Sequence, residues 1–238
     1  MEPLQTDEKK LILKSPLFRG ISEAELSGVL EGLSAQRRTF RREAPVFLWG
    51  ETTGMLGIVL KGSVHILQED FWGNSTILAQ IRPGDLFGEA FALAEAPLTV
   101  TARAADASEI LLIQGERLLG GKPESGPGFL PSILVQNMLR VLAQKNVFLT
   151  ERIGHIAQRS TREKVLSYLS EQAVKTGRKR FRIPLNRQEM ADYLAVDRSA
   201  LSAVLSGLQS EGVLRFRKND FTLFSEKSLK VKEKIGKK

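Results

Sequence analysis

The apolar positions of this 238-residue chain change period several times. Leu11–Phe18 and Ile21–Leu33 carry helical spacing. In the second, Leu26, Val29, Leu30 and Leu33 form one stripe, and Ser22 with Glu25 three residues on has the form of a capping box. From Phe40 to Ile113 the apolar residues come in short runs: VFLW, GIVL, SVHIL, TILAQI, LFGE, TVTARA and EILLI. Turn signals divide them at Pro45, Gly50, Gly54, Gly62, Gly73-Asn74, Pro83-Gly84 and Pro97. Strands at that spacing predict a compact antiparallel barrel or sandwich, with Gly73-Asn74 as a hairpin turn able to take positive φ. Gly115–Gly128, rich in Gly and Pro, reads as a loop.

A long helix is then predicted from about Leu130 to Ala157. Val135, Leu139, Leu142, Asn146, Leu149, Ile153 and Ile156 alternate steps of four and three, a heptad seam. With Leu142 at d, Asn146 falls at a, where one buried Asn favours a parallel pair in fixed register. Met138, Val141 and Phe148 form a second stripe that could pack on the chain's own barrel. Two stripes therefore predict a helix that packs on the barrel with one side and on its twin with the other, although a helix packed only on its own barrel is the simpler reading.

Ser160 and Glu163 propose a capped helix over Arg162–Val174, with a break at Gln158–Ser160 as the hinge between domains. FRIPL leads into Asn186–Leu208, which reads as two short helices. Asn186 and Glu189 box the first, Arg187–Leu194, with Met190 and Leu194 inward. Ala195 and Val196 turn the chain, Asp197 caps the second helix, and Gly212 stops it. That helix buries Leu201, Val204, Leu205 and Leu208 and leaves Arg198, Ser199, Ser202, Ala203, Ser206 and Gln209 outside. A small, polar, Arg-led face on the second of two such helices is what entry into a DNA major groove requires; an ordinary αα-hairpin with a wet face is the plainer possibility. VLRFRKNDFTLF adds two strands around a Lys218–Asp220 turn, a wing.

Charge sharpens this picture. The net charge is +8, but residues 160–238 hold 18 Lys and Arg against 9 Asp and Glu, while residues 1–159 hold 17 against 18. The basicity belongs to the C-terminal third, as neutralisation of phosphates by one domain would demand. Part of it is the KSLKVKEKIGKK tail, but Arg178, Lys179, Arg180 and Arg182 lie apart from the tail. There are no cysteines, which excludes disulfides, thiolate metal sites and Cys-ligated iron–sulfur clusters. The two histidines, His65 and His155, are too few for a cupin-type metal site, and haem through either is disfavoured; no metal or cofactor is expected. Nor does a phosphate loop, nucleophile elbow or catalytic carboxylate pair stand out. The polar start MEPLQTDEKK and the lack of a spanning apolar run predict a cytoplasmic protein without membrane contact.

The run RQEMADYLAVDRSALS, with FGE at Phe87–Glu89, resembles the CRP/FNR family of bacterial transcription regulators over roughly residues 15–225. The resemblance implies an α+β fold in three parts. Residues 1–128 would be a double-stranded β-roll that senses an effector, 129–159 a dimerisation helix, and 160–238 a winged helix-turn-helix that binds double-stranded DNA at a two-fold symmetric operator. It further implies a homodimer, RNA polymerase as a partner, an unidentified small effector and no enzymatic activity. In this superfamily the segment at Gly88, Glu89 and Ala90 meets the ribose and phosphate of a nucleotide. The Arg-Ser or Arg-Thr pair that neutralises a cyclic phosphate falls on Leu98 and Thr99, so the arginine is missing, and Arg103 lies about 13 Å further along the strand. A phosphodiester buried without a countercharge is costly, which disfavours cyclic AMP. Phe87–Glu89 as a purely structural turn stands beside the pocket reading. Thr150 is expected to close the pocket from the long helix. Relatives carry Glu or Ser after the arginine at Arg198, and this chain has Ser199; they often carry Arg where this chain has Ala203. Direct readout then falls to Arg198, Ser199 and Ser202, and the phosphate contacts to Arg187, Arg178–Arg182, Arg215, Arg217 and Lys218. A constitutive regulator with a vestigial sensor and a β-roll enzyme with an appended helical domain are the rival readings.

Overall fold

The computed structural model describes residues 4–69, 72, 75–119 and 132–224. The chain forms two compact units, residues 1–144 and 145–238. The first begins with α1 (Thr6–Lys14), a 3-10 turn (Pro16–Phe18) and α2 (Glu23–Gly32). The first helix thus starts earlier than the apolar pattern indicates, because Gln5 and Glu8 form a capping box ahead of Leu11. Ser22 and Glu25 close the expected box on α2.

Eight strands follow: β1 (Gln36–Phe40), β2 (Pro45–Phe47), β3 (Met55–Lys61), β4 (Val64–Glu69), β5 (Ser75–Ile81), β6 (Leu86–Phe87), β7 (Thr101–Ala104) and β8 (Ser108–Gln114). They make two antiparallel four-stranded sheets, ordered β1-β8-β3-β6 and β2-β7-β4-β5. On β3 and β8 alternate residues serve different cores. Val59, Ile110 and Leu112 join Phe47, Val64, Phe87, Leu98 and Ala102 in one. Leu56, Ile58, Leu60, Leu111 and Ile113 join the helices in the other. A strand buried on both faces reads as an unbroken apolar run, which is why EILLI shows no alternation.

Several expectations are corrected. β1 is QRRTF, too polar to signal a strand; Arg37 earns its place by pairing with Glu8 of α1 at 2.7 Å and with Glu109 of β8. Of VFLW only Val46 and Phe47 belong to a strand, β2, and Leu48 and Trp49 lie exposed after it. LFGE is a two-residue strand whose Glu89 opens a short helix, α3 (Glu89–Ala94). Gly115–Leu118 is a helical turn, α4, not loop. The Gly73-Asn74 turn, residues 120–128 of the loop and Leu130 lie outside the described residues.

The long helix α5 (Ser132–Ile156) serves the first unit with Leu134, Met138 and Val141, all buried in the helix-side core. Asn137, buried beside them, donates from Nδ2 to the carbonyls of Leu17 at 2.9 Å and Arg19 at 2.7 Å. The units divide at Gln144 and Lys145, inside α5, rather than at the expected Gln158–Ser160 break. The helix's last turns pack within the second unit, where Phe148 lies 5.7 Å from Tyr193, ring to ring.

The second unit comprises that end of α5, α6 (Thr161–Thr176), β9 (Arg180–Arg182), α7 (Arg187–Leu194), α8 (Arg198–Ser210), β10 (Leu214–Arg217) and β11 (Asp220–Leu223). Its sheet has three strands, β10-β11-β9, not two, because the basic RKRFR segment pairs with β11. Its core gathers Val165, Leu169, Met190, Leu194, Leu201, Leu205, Leu208 and Phe221.

Gly57 tests the sheet packing. A Cβ there would sit 2.5 Å from the ring of Phe87, which leads into the Gly88–Glu89 turn. Gly57→Ala is expected to destabilise the first unit by about 1–3 kcal/mol, as overpacking does. Denaturant unfolding followed by tryptophan fluorescence, excited where tyrosine does not absorb, reads that unit alone, since both tryptophans, Trp49 and Trp72, belong to it.

Candidate nucleic-acid interface and effector site

Asn186 caps α7 as its sequence foretells. Its side chain accepts from the amides of Gln188 at 2.9 Å and Glu189 at 3.0 Å, and Glu189 Oε2 accepts from the Asn186 amide at 2.7 Å. Ala195 ends the helix in a left-handed conformation, φ 50°, and makes the tight turn into α8. Asp197 stands at the N-cap of α8, but its side chain makes no capping hydrogen bond; only its carbonyl serves, accepting from the Leu201 amide at 2.9 Å. Gly212, φ 74°, closes the far end, with the Val213 amide donating to the Leu208 carbonyl at 3.0 Å.

α8 is two-sided. Leu201, Leu205 and Leu208 are fully buried and Val204 is partly so, packed against the same core. Arg198, Ser199, Ser202, Ala203, Ser206 and Gln209 are all exposed. Two of these have internal duties that the sequence does not reveal. Ser202 Oγ donates to the Arg198 carbonyl at 2.9 Å, leaving its lone pairs outward. Gln209 Oε1 accepts from the Phe216 amide of β10 at 3.1 Å.

The basic residues around α8 divide into two kinds. Arg178, Lys179, Arg180, Arg182, Arg215, Arg217 and Lys218 are exposed on or beside the three-stranded sheet. Lys218 occupies the wing turn in a left-handed conformation, φ 54°, and Asp220 pairs with Arg217 as the first residue of β11. Arg187 differs. It is half-buried, with its guanidinium 5.1 Å above the Phe216 ring and 6.0 Å from Phe221. Burial, then the nearby charge of Arg198, lowers its pKa from the usual arginine value.

The end of α5 docks within this unit. Arg152 donates to the carbonyls of Asp192 at 2.9 Å and Tyr193 at 3.0 Å, at the C-terminus of α7, where a cation offsets the helix dipole. His155 is buried among Tyr168 and Tyr193, with Nδ1 2.8 Å from Ser167 Oγ and Nε2 3.0 Å from Glu171 Oε2. Both ring nitrogens thus face protein partners. Burial, with the Tyr193 and Glu171 charges behind it, pushes the Tyr168 hydroxyl up to about 12.

In the first unit, Gly88 holds φ 78° and places Glu89, buried, at the start of α3; Ala90 is exposed. Gly88 is required twice over, by that φ and because a Cβ would lie 3.0 Å from the Phe47 ring. Leu98 is 2% exposed and packs in the core with Phe47, Phe87 and Val59, while Thr99 beside it is exposed. Arg103 is held on β7 by Glu69 of β4 at 2.7 Å. Thr150 is exposed on α5 in the second unit and donates to Asn146 Oδ1 at 3.3 Å. Half-buried His65 sits on β4 opposite Gln80 and Arg103. Among the described residues no helix is long and apolar enough to cross a membrane.

Residues 37–120 match the family profile of the cyclic nucleotide-binding domain, and residues 163–231 that of the Crp-like helix-turn-helix domain. The cyclic AMP receptor protein of Thermus thermophilus is 27% identical over 201 residues, 84% of this chain and 88% of that protein. Among solved structures, OCPA-complexed CprK aligns over 86% of this chain and 92% of its own, with a TM-score of 0.60 at 15% identity. The Thermus thermophilus catabolite activator protein aligns over 91% and 97%, with a TM-score of 0.47 at 25% identity. With a nucleotide-binding-type roll followed by a long helix and a Crp-like helix-turn-helix on one chain, this protein belongs to the CRP/FNR family of transcription regulators.

Proposed function

We propose that the chain acts as a homodimer that reads a two-fold symmetric DNA operator through α8 and responds to an effector other than a cyclic nucleotide. The observation that carries the DNA reading is the division of α8: one side wholly consumed by the core, the other open and led by Arg198. Arg198, Ser199 and Ser202 supply base contacts. Ala203 offers at most an apolar contact to a thymine methyl. With one strong donor per helix, sequence discrimination is modest, and the exposed cations of β9 and the wing carry a large phosphate contribution.

The dimer reading rests on the heptad seam. Leu139, Leu149 and Ile153 are 62%, 52% and 66% exposed in the single chain, an apolar line that water would otherwise face. Asn146 is exposed with them, placed to fix register between two copies. The effector reading rests on Leu98. Where a cyclic phosphate would need its countercharge, an aliphatic side chain is packed into the roll's core, and Arg103 is already paired. A signal at the roll that altered the seam would change the separation of the two α8 helices and so shift dimers between competent and incompetent states.

Three measurements test these assignments. Arg198→Ala should cost about 1–3 kcal/mol in operator binding and relax specificity at one half-site position; an equal loss on every sequence would make Arg198 a phosphate contact instead. Leu149→Glu should give monomers in sedimentation and abolish operator binding together, whereas a wild type that sediments as a monomer at micromolar concentration would defeat the seam. Calorimetry with cyclic AMP and cyclic GMP should show no binding tighter than about 0.1 mM, equivalent to about −5.5 kcal/mol. Saturable micromolar binding would overturn the effector reading.

A further inference from the structure

We infer that Arg187 and Gln209 are positioning residues that brace the wing against the helix-turn-helix, and that the wing's cations reach DNA because this brace holds them there. The inference rests on the DNA-binding reading above and assigns Arg187 a role other than phosphate contact.

The wing needs a brace. β10 and β11 are four residues each, and so short a hairpin is marginal by itself. Among the described residues β10 is also an edge strand, with one side of its backbone outside the ladder. Gln209, in the last turn of α8, supplies a partner there: its Oε1 accepts from the Phe216 amide at 3.1 Å. On the other side Arg187, the first residue of α7, lays its guanidinium over Phe216 and Phe221, which stack on each other at 5.8 Å. Its Nη2 donates to the Lys218 carbonyl at 3.4 Å, at the left-handed residue of the wing turn. Each helix of the DNA-reading pair therefore holds the same hairpin, one at its strand and one at its turn.

The chemistry favours bracing over phosphate contact for Arg187. A guanidinium is planar, so it can stack on two rings while its edge still donates; an ammonium cannot do both. Facing those rings, and with Nη1 3.9 Å from Met190 Sδ, Arg187 turns its flat surface and two of its nitrogens toward protein groups. The partial burial that results is unfavourable for a group meant to meet a phosphate in water. It is tolerable for one that fixes the distance from the wing turn to α8.

The experiment measures how binding falls with salt, using full-length protein and a labelled duplex selected from random sequence by the wild type. Gln209→Ala changes no charge. If the brace operates, this variant should nevertheless lower the salt slope by about one for each wing contact released. Arg217→Ala and Lys218→Ala, each costly in the wild type, should become nearly silent in the Gln209→Ala and Arg187→Met backgrounds. Arg187→Lys, which keeps the charge but not the planar stack, should fail to restore affinity. An unchanged slope in Gln209→Ala, with wing substitutions still additive, overturns the inference. So does full rescue of affinity and slope by Arg187→Lys, which would mark a phosphate contact. Should Arg187→Met unfold, Gln209→Ala decides alone, because that glutamine is exposed and its loss removes no core contact. A wild type that binds no duplex at any salt would defeat the DNA-binding reading itself, which is a different result from either.

Discussion

The structure turns on a 25-residue helix, α5, that has more apolar surface than its own chain covers. Leu134, Met138 and Val141 are buried in the first unit's core, and Asn137 locks the helix there through two backbone carbonyls. Leu139, Leu149 and Ile153 remain open to solvent. An aliphatic side chain left in water forfeits about 1.5–3 kcal/mol relative to burial. A line of them at heptad spacing favours packing against a second helix.

α5 also runs through the division between the two units. Its first turns belong to the roll; its last turns, with Phe148, Arg152 and His155, belong to the helix-turn-helix unit. Arg152 donates to the C-terminal carbonyls of α7, the helix just before α8. The helix end is thereby joined to α7 through hydrogen bonds and ring contacts. In the first unit, Leu98 is part of an apolar core with Phe47, Val59 and Phe87.

The DNA-reading unit shows how little sequence is needed to make a reading head and how much packing is needed to aim it. Met190, Leu194, Leu201, Leu205 and Leu208 fix the two helices against α6 and the sheet. The polar face of α8 then follows from helical periodicity alone. The direction of the surrounding cations does not, since it depends on which of them the protein itself consumes.

Local rules are strongest where a side chain meets the backbone a few residues away, and there the sequence was decisive. The capping boxes at Ser22, Ser160 and Asn186, the glycine stop at Gly212 and the buried and open faces of α8 all follow from spacing. The charge asymmetry and the missing cysteines were legible for the same reason, since counting needs no coordinates. Pairing between distant segments left no such trace. QRRTF becomes a strand because Glu8 and Glu109 converge on Arg37, and RKRFR becomes one because β11 offers an edge; neither run is apolar enough to announce it. Arg187 looked like any exposed arginine at a helix start, until tertiary packing put Phe216 and Phe221 beneath it. Asp197 looked like a cap, yet its side chain makes no capping hydrogen bond. Periodicity reports which face of a segment is buried, but what a long polar side chain finally touches depends on residues brought near it only by the fold.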